Sequence, residues 1–287
     1  VTAYTLNSAP TGTVTSEGSY NMVDLVNSAG STVTGNSTSF EGCVEERDTV
    51  AQSTYTTIPS GAWDLDVNTI PSSDATRWRP MWSELIYDRS SGGGYNTELN
   101  TNTNRSPTGS YWCPAPSSKL AVRTRSDVED YVNSLVATGN TFHDLGMAWG
   151  VRLLSPNGLF ASENTSAPNG RPISRHIIFM TDGMINTPPA MYSSHGYEES
   201  DRRVSGAAVT PTTSDLNSRH SARFQALCNQ ARANNITVWT IAFGTSNPST
   251  LVSCADSGKA YVATNSAALT AQFQQIAANI AKLRLSR

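Results

Sequence analysis

The stretch RHIIFMTDGMIN, Arg175 to Asn186, decides the reading of the fold. Behind His176 stand Ile177, Ile178, Phe179 and Met180 with no polar residue between them, the pattern of a strand buried on both faces of a sheet. The run predicts a central strand. It ends in Thr181-Asp182-Gly183, which sets a carboxylate where the strand opens into a loop, and open α/β sheets hold their ligands at that edge. Asp182 is therefore the first candidate functional residue, against the plainer reading in which Asp-Gly only makes a turn.

Working outward, the chain alternates strands and helices. Upstream, Ser126 and Glu129 form a capping-box pattern that opens a helix over about 127–137, with Val128, Tyr131, Val132 and Leu135 at helical spacing. Lys119 to Val122 reads as a short strand or connector before it. After Gly139 and a polar turn, Leu145 to Leu154 reads as a helix buried on most sides. Downstream, Arg219 to Asn234 is helical with Phe224, Leu227, Cys228 and Ala231 on one face, and Ile236 to Phe243 is a second unbroken apolar strand. A short helix near Ser249 to Ala255, a strand over Ala260 to Thr264 and a periodic helix from about Ala267 to Leu285 follow. Leu269, Phe273, Ile276, Ile280 and Leu283 mark the core face of that last helix. This order implies an α/β fold with a mostly parallel sheet flanked by helices and right-handed crossovers.

Two stretches are longer than connection requires. Residues 184 to about 216 hold Pro188-Pro189, Tyr192, His195, Tyr197 and Glu198, and loops at this edge carry specificity more often than stability. Tyr192, His195 and Tyr197 are the candidates for ligand contact, with packing inside the loop as the plainer role. Residues 1–117 are rich in Ser, Thr, Asn and Gly, but tryptophans at 63, 78, 82 and 112 argue against disorder. This part reads as an ordered, loop-rich insertion or subdomain with short strands and a small core of its own, ahead of an α/β part over 118–287. The run Gly92-Gly93-Gly94 lacks the strand-to-helix setting and the lysine of a phosphate loop.

Composition narrows the class further. The charged fraction is 15% and the net charge −3, with no Lys/Arg cluster, which argues against nucleic acid and anionic membrane surfaces as partners. No stretch of about 18 apolar residues and no signal-peptide pattern occurs, so the chain as given reads as soluble. Val1 in place of an initiator Met reads as a processed or excised product. Cys43, Cys113, Cys228 and Cys254 lack zinc-ligand spacing and fit two disulfides in an oxidising compartment, with three connectivities possible and four buried thiols as the alternative. The placement of the helices and strands favours Cys228 with Cys254 and Cys43 with Cys113.

No Gly-x-Ser-x-Gly elbow and no glycosidase carboxylate pair can be singled out. His143 beside Thr141 is a candidate base, weighed against an exposed loop residue with Asp144 capping the next helix. His176 reads as a packed structural residue, and His220 has no partner visible from spacing.

A strand ending in Asp182-Gly183, preceded by the turn Gly139 to Thr141 that opens a helix, resembles the second half of a von Willebrand factor A domain. GCVEERDT at 42–49, TFHDLGMAWGVRLLSP at 141–156, the Leu227-Cys228 pair, and the tail from Cys254 through LRL at 283–285 resemble the TadG-like proteins of bacterial tight-adherence (Flp) pilus systems. The resemblance covers roughly residues 40–287. It implies a divalent cation held by loops at the sheet edge, with Thr141 and Asp182 matching two of its ligands and Mg2+ or Ca2+ suiting the hard oxygens. The family's Asp-x-Ser-x-Ser does not occur; Asp88-Arg89-Ser90-Ser91-Gly92 comes nearest but does not match. The family's first motif and membrane-anchoring helix lie upstream of the matched region, so either the first strand is missing here or the cation site is degenerate. The implied function is non-enzymatic: a module of pilus adhesion or assembly in the bacterial cell envelope, periplasmic or on the surface. Its partners would be pilus or assembly proteins or a surface ligand, with any membrane contact made through a segment outside this chain. The alternative is a metal-dependent hydrolase with an unrecognised first catalytic loop.

Overall fold

The computed structural model describes residues 42–81 and 113–285 apart from 138, 168, 200 and 246–248, and elsewhere only the backbone pairing of short strands before residue 113. Trp82, Trp112, the run Gly92 to Gly94 and the side chain of Leu283 lie outside the described residues. The fold is mixed α/β: a three-stranded parallel sheet flanked by helices, compatible with a Rossmann-like or von Willebrand A-like arrangement.

Three strands make the sheet: β1 (Arg175–Thr181), β2 (Ile236–Phe243) and β3 (Ala260–Ala263). Their order is β3-β2-β1, so β2 is central. The expectation of a central β1 is corrected: among the described residues it pairs with β2 alone and forms the edge. Register explains its uneven burial. Ile177 and Phe179 align with Val238 and Thr240 on one face, whereas Ile178 and Met180 align with Trp239 and Ile241 on the other. Ile177 is buried, while Ile178 and Met180 are 38% and 48% exposed. An unbroken apolar run thus encodes one covered face and one partly open one.

The helices are α1 (Arg125–Ser134), α2 (His143–Leu154), α3 (Ala161–Asn164), α4 (Thr213–Ala233), α5 (Ser249–Cys254) and α6 (Ser266–Leu285). Met147 and Val151 of α2 meet Phe224, Leu227 and Ala231 of α4 over Ile177, Val238 and Ala242 of the sheet. Each of the larger side chains here, Met, Val, Phe, Leu and Ile, contributes roughly 1.5–3 kcal/mol when fully buried. On the opposite face Ile276 of α6 covers Trp239, Ile241 and Ala263. The α1 start lies upstream of the expected box. Thr124 is the N-cap, accepting from Asp127 N at 3.2 Å, while the Asp127 carboxylate accepts from Thr124 N at 2.9 Å. No residue of α1 is buried, and Lys119 to Val122 is not a strand.

Residues 43–81 do not form a core of their own. Ala62, Leu65 and Val67 belong to the same cluster as Met147 and Phe224, with Val50, Tyr55 and Ile58 packed against it. The loop-rich part up to residue 81 is therefore built into the α/β body. Cys43 is bonded to Cys113, and Cys228 on α4 to Cys254 on α5, the pairing favoured from sequence.

Candidate functional site

Charged residues converge where α2, α4, the 184–212 loop and the segment 46–64 meet. His220 Nδ1 lies 2.8 Å from Asp144 Oδ2, and Arg223 Nε donates to the same oxygen at 3.2 Å. Arg223 also pairs through Nη2 with Asp64, and the same nitrogen is 3.0 Å from His195 Nε2. His195 Nε2 is in turn 3.0 Å from Asp64 Oδ2. Arg223 Nη1 donates to Thr49 Oγ1 and to the Tyr55 hydroxyl. Beside this group Arg152 grips Glu46 with two bonds of 2.6 and 2.9 Å. Every charged side chain in the group is 1–2% exposed.

The local sequence explains the placement. Asp144 and Arg152 lie on the inner face of α2, and His220 and Arg223 one turn apart on α4, a spacing that puts both on one side of a helix. Charges this deep survive only when paired and hydrogen-bonded. Burial by itself raises the Glu46 carboxyl, yet the charge and hydrogen bonds of Arg152, with the charges of His195 and Arg47, bring it below its ordinary value. Burial, and then the charge of Arg203, lowers the His195 pKa and favours the neutral imidazole. Asp64 Oδ1, Asp144 Oδ1 and His195 Nδ1 are buried without a protein hydrogen-bond partner.

Asp144, His195 and His220 could hold a metal ion, since each offers one ligand atom and all lie within 4.8 Å of one another. Two imidazoles and one carboxylate suit a zinc-like ion better than the Mg2+ or Ca2+ expected at Thr141 and Asp182. The guanidinium of Arg223 already touches two of the three residues, so the cluster's negative charge faces a resident cation. A metal ion there would have to displace it.

The second candidate is the carboxyl end of β1. Thr141 and Asn186 pair through reciprocal backbone bonds of 3.1 and 3.0 Å. A Cβ at Gly183 would stand 3.7 Å from Thr141 Oγ1, so the two loops touch beside Asp182. Thr181 Oγ1 accepts from Gly183 N at 3.2 Å and lies 3.2 Å from His143 Nε2. Asp182 is exposed and Thr141 half-buried. Unlike the sealed cluster, this edge is open to a partner.

Two histidine readings are corrected. His143 is buried beneath Phe179 and Phe224 and is not an exposed loop residue; burial lowers its pKa. Asp144 does not cap α2, whose N-cap is Phe142, because its carboxylate turns inward to His220 and Arg223. His176 accepts from Trp239 Nε1 at 3.2 Å, consistent with a packing role.

The three proposed loop contacts are also corrected. Tyr192, His195 and Tyr197 are 7%, 1% and 4% exposed. The tyrosines stack on each other at 4.8 Å between ring centroids and pack with Met81, and His195 is tied into the charge cluster. Their hairpin (192–193 with 196–197) turns at Gly196, where φ is +77° and the Asp201 carboxylate leaves no room for a Cβ. The loop is a structural plug, and its rings face inward.

Glu46, Asp64, Arg152 and Arg223 were not singled out from sequence. Two of them could have been flagged, because a charge on a helix face read as buried requires a partner; Arg152 on α2 and Arg223 beside Phe224 both meet that description. No protein-family model matches the chain, nor does a curated protein or a solved structure.

Proposed function

We propose that this chain is a non-enzymatic binding module of the von Willebrand A type, working outside the cytoplasm in pilus-associated adhesion or assembly. One observation carries the non-enzymatic part: among the described residues, the histidine–carboxylate pairs His195–Asp64 and His220–Asp144 are sealed at 1–2% exposure, where no substrate reaches them. Among the described residues, no carboxylate or nucleophile is hydrogen-bonded to the exposed Asp182 at the sheet edge, and in this reading it serves as a contact group. Two disulfides and a lightly charged composition support an oxidising compartment. The pilus assignment rests on the sequence resemblance.

In this reading Asp182 and Thr141 offer hard oxygens to Mg2+ or Ca2+, ions that take six or more oxygen ligands. Two side chains leave most positions to water and to a partner carboxylate, so cation and partner bind together. The test is an Asp182→Ala, Met184→Ala double variant, both positions being exposed. Export, pilus number and surface attachment are scored separately. Lost attachment with intact pili supports an adhesin and lost pili an assembly part; no change in either overturns the proposal.

A further inference from the structure

The two edges of the sheet are built differently. β3 is four residues long, Ala260–Ala263, and so short a strand offers little to pair with. β1 is seven residues long and lies against β2 in one unbroken register, from Arg175 opposite Ile236 to Thr181 opposite Ala242, with no bulge to turn it away. Natural edge strands are blunted by Lys, by Pro, by bulges or by shortness, because a long apolar edge pairs with whatever strand it meets. The run His176 to Met180 carries none of these devices.

The groups that would receive another strand are the main chain of the edge itself. With β2 on one side only, β1 presents a row of N–H and C=O groups outward. Among the described residues, no hydrogen bond outside the β2 ladder engages the main chain of Ile177 to Met180. One face is already roofed: a Cβ at Gly146 or Gly150 of α2 would stand 3.7 Å from the Phe179 ring or the Ile177 side chain. On the other, α6 covers Trp239 and Ile241, while Ile178 and Met180, beside them in register, stay 38% and 48% exposed. The two ends of the strand carry opposite charge. Arg175 donates to the Asn164 carbonyl, and among the described residues neither Arg175 nor Asp182 has an ion-pair partner.

We propose that β1 is a dimerisation edge: two copies of this chain join β1 to β1, antiparallel about a twofold axis at Phe179, and their three-stranded sheets become one of six strands. In that register Ile178 of each copy lies opposite Met180 of the other, so the exposed apolar side chains cover one another in cross-strand pairs. Antiparallel pairing also sets the Arg175 end of each copy beside the Asp182 end of the other, and cation meets carboxylate twice. A parallel partner strand of the same sequence would set like ends together. The dimer goes beyond the binding-module reading and does not depend on it.

Sedimentation velocity of the full chain across the micromolar range tests the pairing. Ile178→Lys with Met180→Lys sets like charges opposite each other at two places, whereas Ile178→Lys with Met180→Glu sets opposite charges at the same exposed positions. The expected result is a dimer for the native chain, a dissociation constant raised tenfold or more in the first variant, and a dimer retained in the second. Amide hydrogen exchange on the native chain needs no substitution: Ile177 to Met180 should gain protection as concentration rises. A native chain that stays monomeric up to its solubility limit overturns the proposal, as does a first variant that still dimerises. Edge amides that exchange alike at every concentration also overturn it, because another segment or solvent would then occupy the edge. Loss of the dimer in both variants, with native circular dichroism in each, overturns the antiparallel register. Since the dimer is read by size and attachment is scored separately, either reading can fail while the other stands.

Discussion

The sealed cluster around Arg223 and the open edge around Asp182 contain similar groups and differ in access. At the first, carboxylates, imidazoles and guanidinium groups are 1–2% exposed and answer one another's charge. At the second, a single carboxylate stands in solvent beside a half-buried threonine. The difference teaches that clustering of ionisable groups is not itself a sign of chemistry. Here the cluster joins four separate parts of the chain, and its ion pairs lie 76 to 159 residues apart. A substrate needs an opening, and the opening is elsewhere.

The comparison breaks most readily at Arg223. Arg223→Ala leaves Asp64 and Asp144 buried without their cation, and removal of one partner from a buried pair costs about 3–5 kcal/mol. Urea denaturation should show a loss of that size, whereas Asp182→Ala should move stability by less than about 0.5 kcal/mol, as exposed substitutions do. Comparable losses in both variants would erase the distinction drawn between the two regions.

The disulfides come next. The Cys228–Cys254 bridge spans 26 residues and Cys43–Cys113 spans 70, so in the chain-entropy model they contribute about 3.5 and about 4.4 kcal/mol. Replacing either pair with serine should lower the thermal midpoint by several degrees. An unchanged midpoint for the longer loop would mean that its ends are held equally well without the bond.

Acid supplies a smaller and graded effect. His195 and His143 both have pKa values lowered chiefly by burial from an ordinary 6.5. Neutral imidazole is therefore the folded form, and the stability it brings is fully present above about pH 6.5. It is lost as pH falls from there toward the folded-state pKa, by at most about 1.4 kcal/mol per pH unit for each histidine. Denaturant midpoints measured from pH 7.5 to 5 should decline below pH 6.5, and His143→Gln should remove part of the slope. A midpoint that rises on acidification would reverse the sign assigned to both groups.

The elements themselves were largely legible in the sequence. Ile236 to Phe243 is a strand at the residues its apolar run marks, and Phe224, Leu227 and Ala231 of α4 and Ile276 of α6 are buried as their spacing predicts, but α4 begins at Thr213, ahead of the expected Arg219, and Phe273, expected on the core face of α6, is 40% exposed. The position of β1 was not legible. Ile178 and Met180 are apolar yet partly open, and composition alone does not reveal whether a neighbour covers a strand. The charge cluster was hidden for another reason: Glu46, Asp64, Asp144 and Arg223 have no mutual spacing, and only the folded topology brings them together. The loop at 184–212 misled because Pro, Tyr and polar residues mark both a contact surface and a plug. Its inward rings depend on the Gly196 turn and on the pocket beside Met81.

Arg223 is the cluster's cation, and the cluster secures the fold. Titration of the native chain with Co2+ tests it most directly, because cobalt held by two imidazoles and a carboxylate absorbs strongly in the visible range. No such band is expected on the folded protein at neutral pH, because Arg223 is already bonded to Asp144 and His195. An intense band that appears stoichiometrically and vanishes in His220→Gln would contradict it, and would make the sealed cluster a metal centre.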